Sequence, residues 1–294
     1  MMYYRRKILL ALVEAFGSRL KRTDCQKLLF LFCQYTKQNF YDFFPYKYGG
    51  FSFVSYQDKH RLATLGFLGT SEDFEFVSEA SFVDQLKPKD QTAIKAFAVE
   101  MDGVKGNKLI KRVYLEFPHY ACQSTILSEV LDPEEIETLR FWWCADTSSR
   151  LFTIGYEGKS IDAYLNLLIA NNVKALVDVR KNPLSMKYGF SKTKLRTYIE
   201  RAGLCYYHLP GLGIPSDLRR NLDSPEDYQD LFAYYRTEIL PEQMESLEDI
   251  KMLLDRHTRI ALTCFEKDHH SCHRNEVTQY LTEGAGFNTK VAHL

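Results

Sequence analysis

The run Arg259-Ile-Ala-Leu-Thr-Cys264-Phe-Glu266-Lys-Asp-His269-His270-Ser-Cys272-His273-Arg274-Asn-Glu-Val-Thr278 changes character twice. Its first six residues, Arg259–Cys264, are short, mostly apolar and strand-like. They empty into a loop that holds carboxylates, imidazoles, a thiol and cations. From Cys272 onward the spacing turns helical. Strand, loop and helix in that order make one step of a βαβ unit.

The same alternation extends outward on both sides. Strands are expected over 151–155, 175–179, 204–209 and 288–293, with helices over 160–171, 191–202, one or two within 225–256, and 272–283. Ser160 stands where the first of these helices needs a cap. This spacing predicts an α/β domain over 151–294, with a mostly parallel sheet covered by helices on both faces.

Before it lies a different pattern. Ile8, Leu9, Leu12 and Val13, then Leu28, Leu29, Leu31 and Phe32, recur at helical spacing, with Thr23 or Asp24 as the expected cap of the second helix. An aromatic stretch fills 40–53, further helices are expected over 55–65, 88–101 and 132–143, and 72–83 reads as strand-like or irregular. Together these predict a smaller, mainly α-helical, winged-helix-like domain over 1–145, joined through a polar linker at 145–150.

Composition narrows the function classes. Among 294 residues, 45% are hydrophobic and 26% charged, enough to build real cores. Lys+Arg and Asp+Glu number 38 each, so no charged tail or half announces a polyanionic partner. No apolar run approaches a membrane span, and Glu14 interrupts the N-terminal apolar run too early for a signal peptide. The seven scattered cysteines fit a reduced, cytoplasmic setting.

In an open α/β sheet, ligands bind beyond the C-terminal strand ends. Those ends here carry Gly155-Tyr156-Glu157-Gly158-Lys159, then Asp178-Val-Arg180, then His208-Leu-Pro-Gly-Leu-Gly213, then Cys264 to Arg274. Alternation puts Asp178 and Arg180 on one side of their strand, where they could pair, bind a metal or clamp an anion. Glu157 reads as a general acid–base group or a solvated turn residue. The last segment supports three chemistries. Cys264, His269, His270, Cys272 and His273 are metal-ligand types, although the spacing matches no standard ligand motif. Cys272, beside His273 and Arg274 at a helix start, is placed for an activated thiol. The same helix start with Arg274 suits a phosphate or carboxylate. Against all three stands a buried Cys272 and a loop-capping His273.

The segments Thr153-Ile-Gly-Tyr-Glu-Gly158, Leu176-Val-Asp-Val-Arg180, Asn182-Pro-Leu-Ser185, Gly189-Phe190, His208-Leu-Pro-Gly-Leu-Gly213, Cys264-Phe-Glu266 and Cys272-His-Arg274, in that order, resemble the prokaryotic family catalogued as domain of unknown function four-eight-eight. The resemblance implies an α/β domain with these segments grouped together, and it implies no reaction. His269-His270 depart from the family pattern, which weakens a metal reading that leans on those two. Lys27-Leu-Leu-Phe-Leu31 and Phe44-Pro-Tyr-Lys-Tyr-Gly49, followed by Phe51-Ser52, resemble Panacea-type antitoxin domains, which are helical interaction modules. Tyr46, Tyr48, Phe51 and Phe53 could form a stacking platform for bases or part of a core. Arg19, Lys21, Arg22 and Lys27 could face phosphates or solvent.

The leading expectation is an enzyme that hydrolyses a phosphodiester or glycosidic bond in a nucleic acid or nucleotide, in a setting such as phage defence. Asp178, Glu266, Cys272, His273 and Glu157 are the candidate catalytic groups; Tyr156, Arg180, His208 and Arg274 are the candidate ligand-binding groups. The N-terminal domain would hold nucleic acid or a protein partner. The alternatives are a non-enzymatic ligand sensor or regulator, and a structural-metal domain. The cofactor and any metal are left open.

Overall fold

The structure is a computed structural model that describes residues 2–219, 222, 224–284 and 287–294. The chain divides into two compact units, Met1–Trp143 and Cys144–Leu294.

The first unit is mainly helical: α1 (Tyr4–Ala15), α2 (Arg22–Thr36), α3 (Phe53–Thr64), α4 (Pro88–Glu100), α5 (Asn107–Glu116), α6 (Leu127–Val130) and α7 (Pro133–Arg140). Four short strands, β1 (Arg19–Leu20), β2 (Phe44–Tyr46), β3 (Gly49–Phe51) and β4 (Phe74–Glu75), form the antiparallel pairs β1–β4 and β2–β3. Helix α2 is buried at every position from Asp24 to Cys33, so it lies in the middle of the unit and not on its surface. Its polar members are satisfied there. Gln26 Nε2 donates to Ser55 Oγ at 2.6 Å, Gln26 Oε1 accepts from the Ser52 amide at 2.9 Å, and Lys27 Nζ donates to the Gly50 carbonyl at 2.7 Å. These bonds pin the β2–β3 hairpin to the helix. Burial pushes the Lys27 amine down to about 7.

Two local expectations change. Lys21, not Thr23 or Asp24, occupies the N-cap of α2; Asp24 accepts instead from the Gly106 amide at the start of α5, at 2.9 Å. Helix α5 itself was not anticipated. Lys108, Lys111 and Arg112 mask its period, although Leu109, Ile110, Val113 and Tyr114 are all buried.

The second unit carries β5 (Arg150–Gly155), α8 (Ile161–Ala170), β6 (Ala175–Asp178), α9 (Lys192–Arg201), β7 (Cys205–His208), α10 (Pro225–Tyr234), α11 (Met244–His257), β8 (Arg259–Cys264), α12 (His273–Glu283) and β9 (Lys290–His293). The sheet order is β7-β6-β8-β5-β9 and all neighbours run parallel. Strand β8 is buried at all six positions, which explains its near-continuous apolar run. Ser160 does cap α8, its hydroxyl accepting from the Ala163 amide at 3.1 Å.

Because all five strands run the same way, Gly155, Asp178, His208, Cys264 and His293 end at one edge of the sheet. Strand alternation then sorts residues between two faces. Ala175, Val177, Val179, Ile260 and Leu262 join one core with Leu247 and Ile250 of α11 and Val277 of α12. Thr263 lies on the opposite face, where it accepts from the Tyr164 hydroxyl of α8 at 2.7 Å.

Candidate functional site

On the α8 face, Asp178 and Arg180 form a fork. Arg180 Nε donates to Asp178 Oδ1 at 2.8 Å, and a terminal nitrogen donates to Oδ2 at 2.6 Å. The second terminal nitrogen donates to the Tyr156 hydroxyl at 3.0 Å and the Phe190 carbonyl at 2.9 Å. Oδ2 also accepts from the Tyr206 hydroxyl at 2.7 Å. Asp178 is fully buried and Arg180 nearly so. Tyr156 stacks on Phe190 with centroids 4.4 Å apart, and the guanidinium lies over the Tyr156 ring. Burial, and then the Asp178 charge, push the Tyr206 hydroxyl well above its ordinary value. All three guanidinium nitrogens are engaged, so Arg180 holds the strand end together and is not presented as an anion clamp.

On the α12 face, a second cluster is built from softer groups. Cys264 ends β8, Cys272 is the N-cap of α12, and His273 is its first residue. All three side chains are buried. Their ligand atoms, Cys264 Sγ, Cys272 Sγ and a His273 ring nitrogen, lie within 4.8 Å of one another. His273 Nδ1 is 3.6 Å from Cys264 Sγ and 3.9 Å from Cys272 Sγ, while Nε2 is 3.1 Å from the Val179 carbonyl. A carbonyl can only accept, so Nε2 carries the hydrogen and Nδ1 turns its lone pair toward the sulfurs. Cys264 Sγ donates to Glu266 Oε2 at 3.4 Å. Burial would raise the Glu266 carboxyl, but hydrogen bonds from Cys272, its own backbone and Cys264, with the field of His273, bring it below its ordinary value. Burial, and then Cys264, push the Cys272 thiol well above its own. A free thiolate nucleophile at Cys272 is therefore disfavoured; the helix start does not outweigh the desolvation.

The loop from Phe265 to Ser271 is laced to its surroundings through main-chain atoms. Arg274, only 1% exposed, donates to the Glu266 carbonyl at 2.7 Å and the Lys267 carbonyl at 3.2 Å. Glu157, an exposed residue, accepts from the Lys267 amide at 2.9 Å, and its own amide donates to the Phe265 carbonyl at 2.9 Å. A Cβ on Gly155 would fall 1.7 Å from the Glu266 carbonyl oxygen, so only glycine lets the loop close onto β5. His208 Nε2 donates to the Arg180 carbonyl at 2.9 Å, fixing the backbone after β6.

Three lysines complete this edge. Lys159 Nζ donates to the Gly155 carbonyl at 3.0 Å, and Lys187 Nζ to the Tyr156 carbonyl at 2.8 Å; Lys267 is exposed. Burial, followed by repulsion from Lys267, Arg274 and Lys187, lowers Lys159 from the ordinary lysine range. The sequence reading missed this group. Its available signal was Lys159 after a glycine in a strand-end turn; Lys187 and Lys267 sit in loops whose meeting only the fold brings about.

The single pocket expected from the strand ends thus separates into two clusters. Tyr156, Asp178 and Arg180 lie on one face and Cys264, Cys272 and His273 on the other, while Glu157, His208 and Arg274 act through loop backbone. His269 and His270 form another metal-type group with Asp268, but largely exposed. His269 stacks flat on His293, centroids 3.6 Å apart, so those imidazoles meet face to face. In the first unit, Arg19, Lys21 and Arg22 line an open groove of about 1330 Å³, whereas Lys27 is buried. Phe53 is buried and packs 5.1 Å from Phe51, which lies 4.9 Å from Tyr46; Tyr48 is exposed. Most of the aromatic stretch therefore packs on itself.

Comparison with known families bears on the second unit. Residues 160–281 match the family model described as Domain of unknown function DUF488. The C-terminal half resembles DUF488. The DUF488 match opens at the Ser160 cap and closes in α12, so it contains Asp178, Arg180, His208, Glu266 and Cys272 to Arg274. Tyr156, Glu157 and His293 lie outside it, as does the whole N-terminal unit. No curated protein and no solved structure matches the chain.

Proposed function

We propose that the second unit is a hydrolase acting on a phosphodiester or glycosidic bond of a nucleotide or nucleic acid at the C-terminal edge of its sheet. The observation that carries this reading is Glu266, a half-buried carboxylate beside the Cys264 thiol, on an edge that also gathers Lys159, Lys187 and Lys267. The carboxylate accepts a proton from the attacking water, the water oxygen bonds to phosphorus or the anomeric carbon as the bond from that atom to the leaving group breaks, and the proton passes to the leaving group. The lysines supply the field for an anionic substrate. The seven free cysteines support a reduced, cytoplasmic setting. Among the described residues no helix is long and apolar enough to cross a membrane. The groove lined by Arg19, Lys21 and Arg22, together with Asp24, Asp73, Asp102 and Glu129, is the surface of the first unit that would hold nucleic acid, and phage defence is part of the same proposal.

The test is turnover by the full-length protein on nucleotides, single- and double-stranded DNA, RNA and nucleosides. Glu266→Gln should lower turnover by about 10²–10⁴-fold while leaving the melting temperature unchanged. Wild-type protein that turns over none of these substrates would sink the hydrolase reading. Saturable thermal stabilisation by a nucleotide without turnover would favour a sensor instead.

A further inference from the structure

We infer that Cys264, Cys272 and His273 form a zinc site, with Sγ, Sγ and Nδ1 as ligands and the fourth position open toward Glu266. A tetrahedral zinc with Zn–S of about 2.3 Å and Zn–N of about 2.0–2.1 Å sets sulfur and nitrogen ligands roughly 3.6 Å apart. Nδ1 stands 3.6 Å from one sulfur and 3.9 Å from the other. Both nitrogen–sulfur separations are therefore close to those of one shared ion, and all three donor atoms lie within 4.8 Å of one another.

The imidazole is also prepared in the way a metal ligand requires. Its Nε2–H donates to the Val179 carbonyl, which fixes the ring orientation and leaves Nδ1 as the free donor. Metal-binding histidines are held through their other nitrogen in this manner. The Tyr235 ring, fully buried, packs edge-to-face against His273 with centroids 5.9 Å apart. Two sulfurs and one imidazole are a donor set that favours zinc over magnesium or calcium. The largely exposed Asp268, His269 and His270 lack this support: the His269 ring stacks on His293 and meets His270 at a tilt.

Binding is balanced by proton release. A zinc ion entering as the dication displaces both thiol protons, and the two thiolates with neutral His273 leave a site of no net charge. The bond from Cys264 Sγ–H to Glu266 Oε2 then disappears, because the thiol no longer has a proton to donate. Glu266 is freed at the open position, where it can hold a metal-bound water. Three protein ligands plus an open position is the arrangement of catalytic rather than structural zinc. Metal occupancy does not depend on the hydrolase proposal; only the use of the bound water does.

The experiment uses the untagged full-length protein, produced with zinc chloride in the medium and exchanged into metal-free buffer. Elemental analysis should find about one equivalent of zinc, and less than about a tenth would overturn the site. Cys272→Ser should lower the zinc content roughly tenfold or more; Cys205→Ser, at an exposed thiol on β7, should retain it. Because a substituted ligand in a buried cluster can also unfold the unit, a second measurement uses wild-type protein stripped of metal. Cobalt(II) chloride should then produce a thiolate charge-transfer band and intense tetrahedral d–d bands, with release of both thiol protons; absence of that spectrum would overturn the proposal. Glu266→Gln should keep its zinc, and loss of zinc there would overturn the open fourth position. Bound zinc with no turnover on any substrate would leave the metal site standing and remove the hydrolase reading.

Discussion

The two faces of one sheet treat their polar residues in opposite ways. On the α8 face, Asp178, Arg180, Tyr156 and Tyr206 direct their side-chain donors and acceptors to each other and to the Phe190 carbonyl. On the α12 face, Cys264, Cys272, His273 and Glu266 approach at longer sulfur distances, with a lone pair of His273 facing the thiols. Charge density alone would have favoured the first cluster as the reactive one. A cluster that closes on itself fixes structure; one that leaves a donor atom free keeps something for a ligand.

The sharpest way to break this contrast is Arg180→Ala. It leaves the buried Asp178 carboxylate with Tyr206 and the residue-180 amide as partners, and should cost about 3–5 kcal/mol in urea unfolding of the second unit. A loss under about 1 kcal/mol would mean the pair is not structural. Arg274→Ala is the next largest. Removing the guanidinium leaves the Glu266 and Lys267 carbonyls without those bonds and should cost about 2–3 kcal/mol, with faster amide exchange across 265–272. An unchanged exchange pattern would show that the loop is held by other contacts.

The smallest effect is a pH dependence confined to the α12 face. Burial, and then His269, Arg274 and His270, push His293 down to about 4 from 6.5. A histidine depressed in the folded state is protonated first in the unfolded chain, so stability is lost as pH falls from about 6.5 toward 4. His293 is exposed, so the slope should be shallow. His293→Asn should flatten it, measured as melting temperature against pH. An identical slope in the variant would assign the acid sensitivity to other groups.

The strand–helix alternation of the second unit was legible because a parallel sheet demands it locally. Arg259–Cys264 had to be mostly apolar to be buried on both faces, and Ser160 had to cap α8. Helix α5 was not legible, because Lys108, Lys111 and Arg112 hide a buried stripe that only its packing partners reveal. The candidate residues were found by where strands end, and Glu266, Cys272 and His273 were among them. Their grouping was misjudged, since strand ends share an edge but not a face. Lys187 and Lys267 were overlooked for a related reason: loop positions carry no periodicity.

By itself, the sequence determined the element order of the α/β part, the strand ends at which chemistry gathers, and the Cys264–Arg274 segment as its richest stretch. Those follow from periodicity and from the residues that follow each strand, both local properties of the chain. Tertiary structure decided which residues meet. Register between β6 and β8 set Asp178 beside Thr263, alternation sent Arg180 and Cys264 to opposite faces, and a glycine at 155 let the Glu266 loop fold onto β5. Whether a side chain is saturated or free depends on partners far away in sequence, and no local pattern records them.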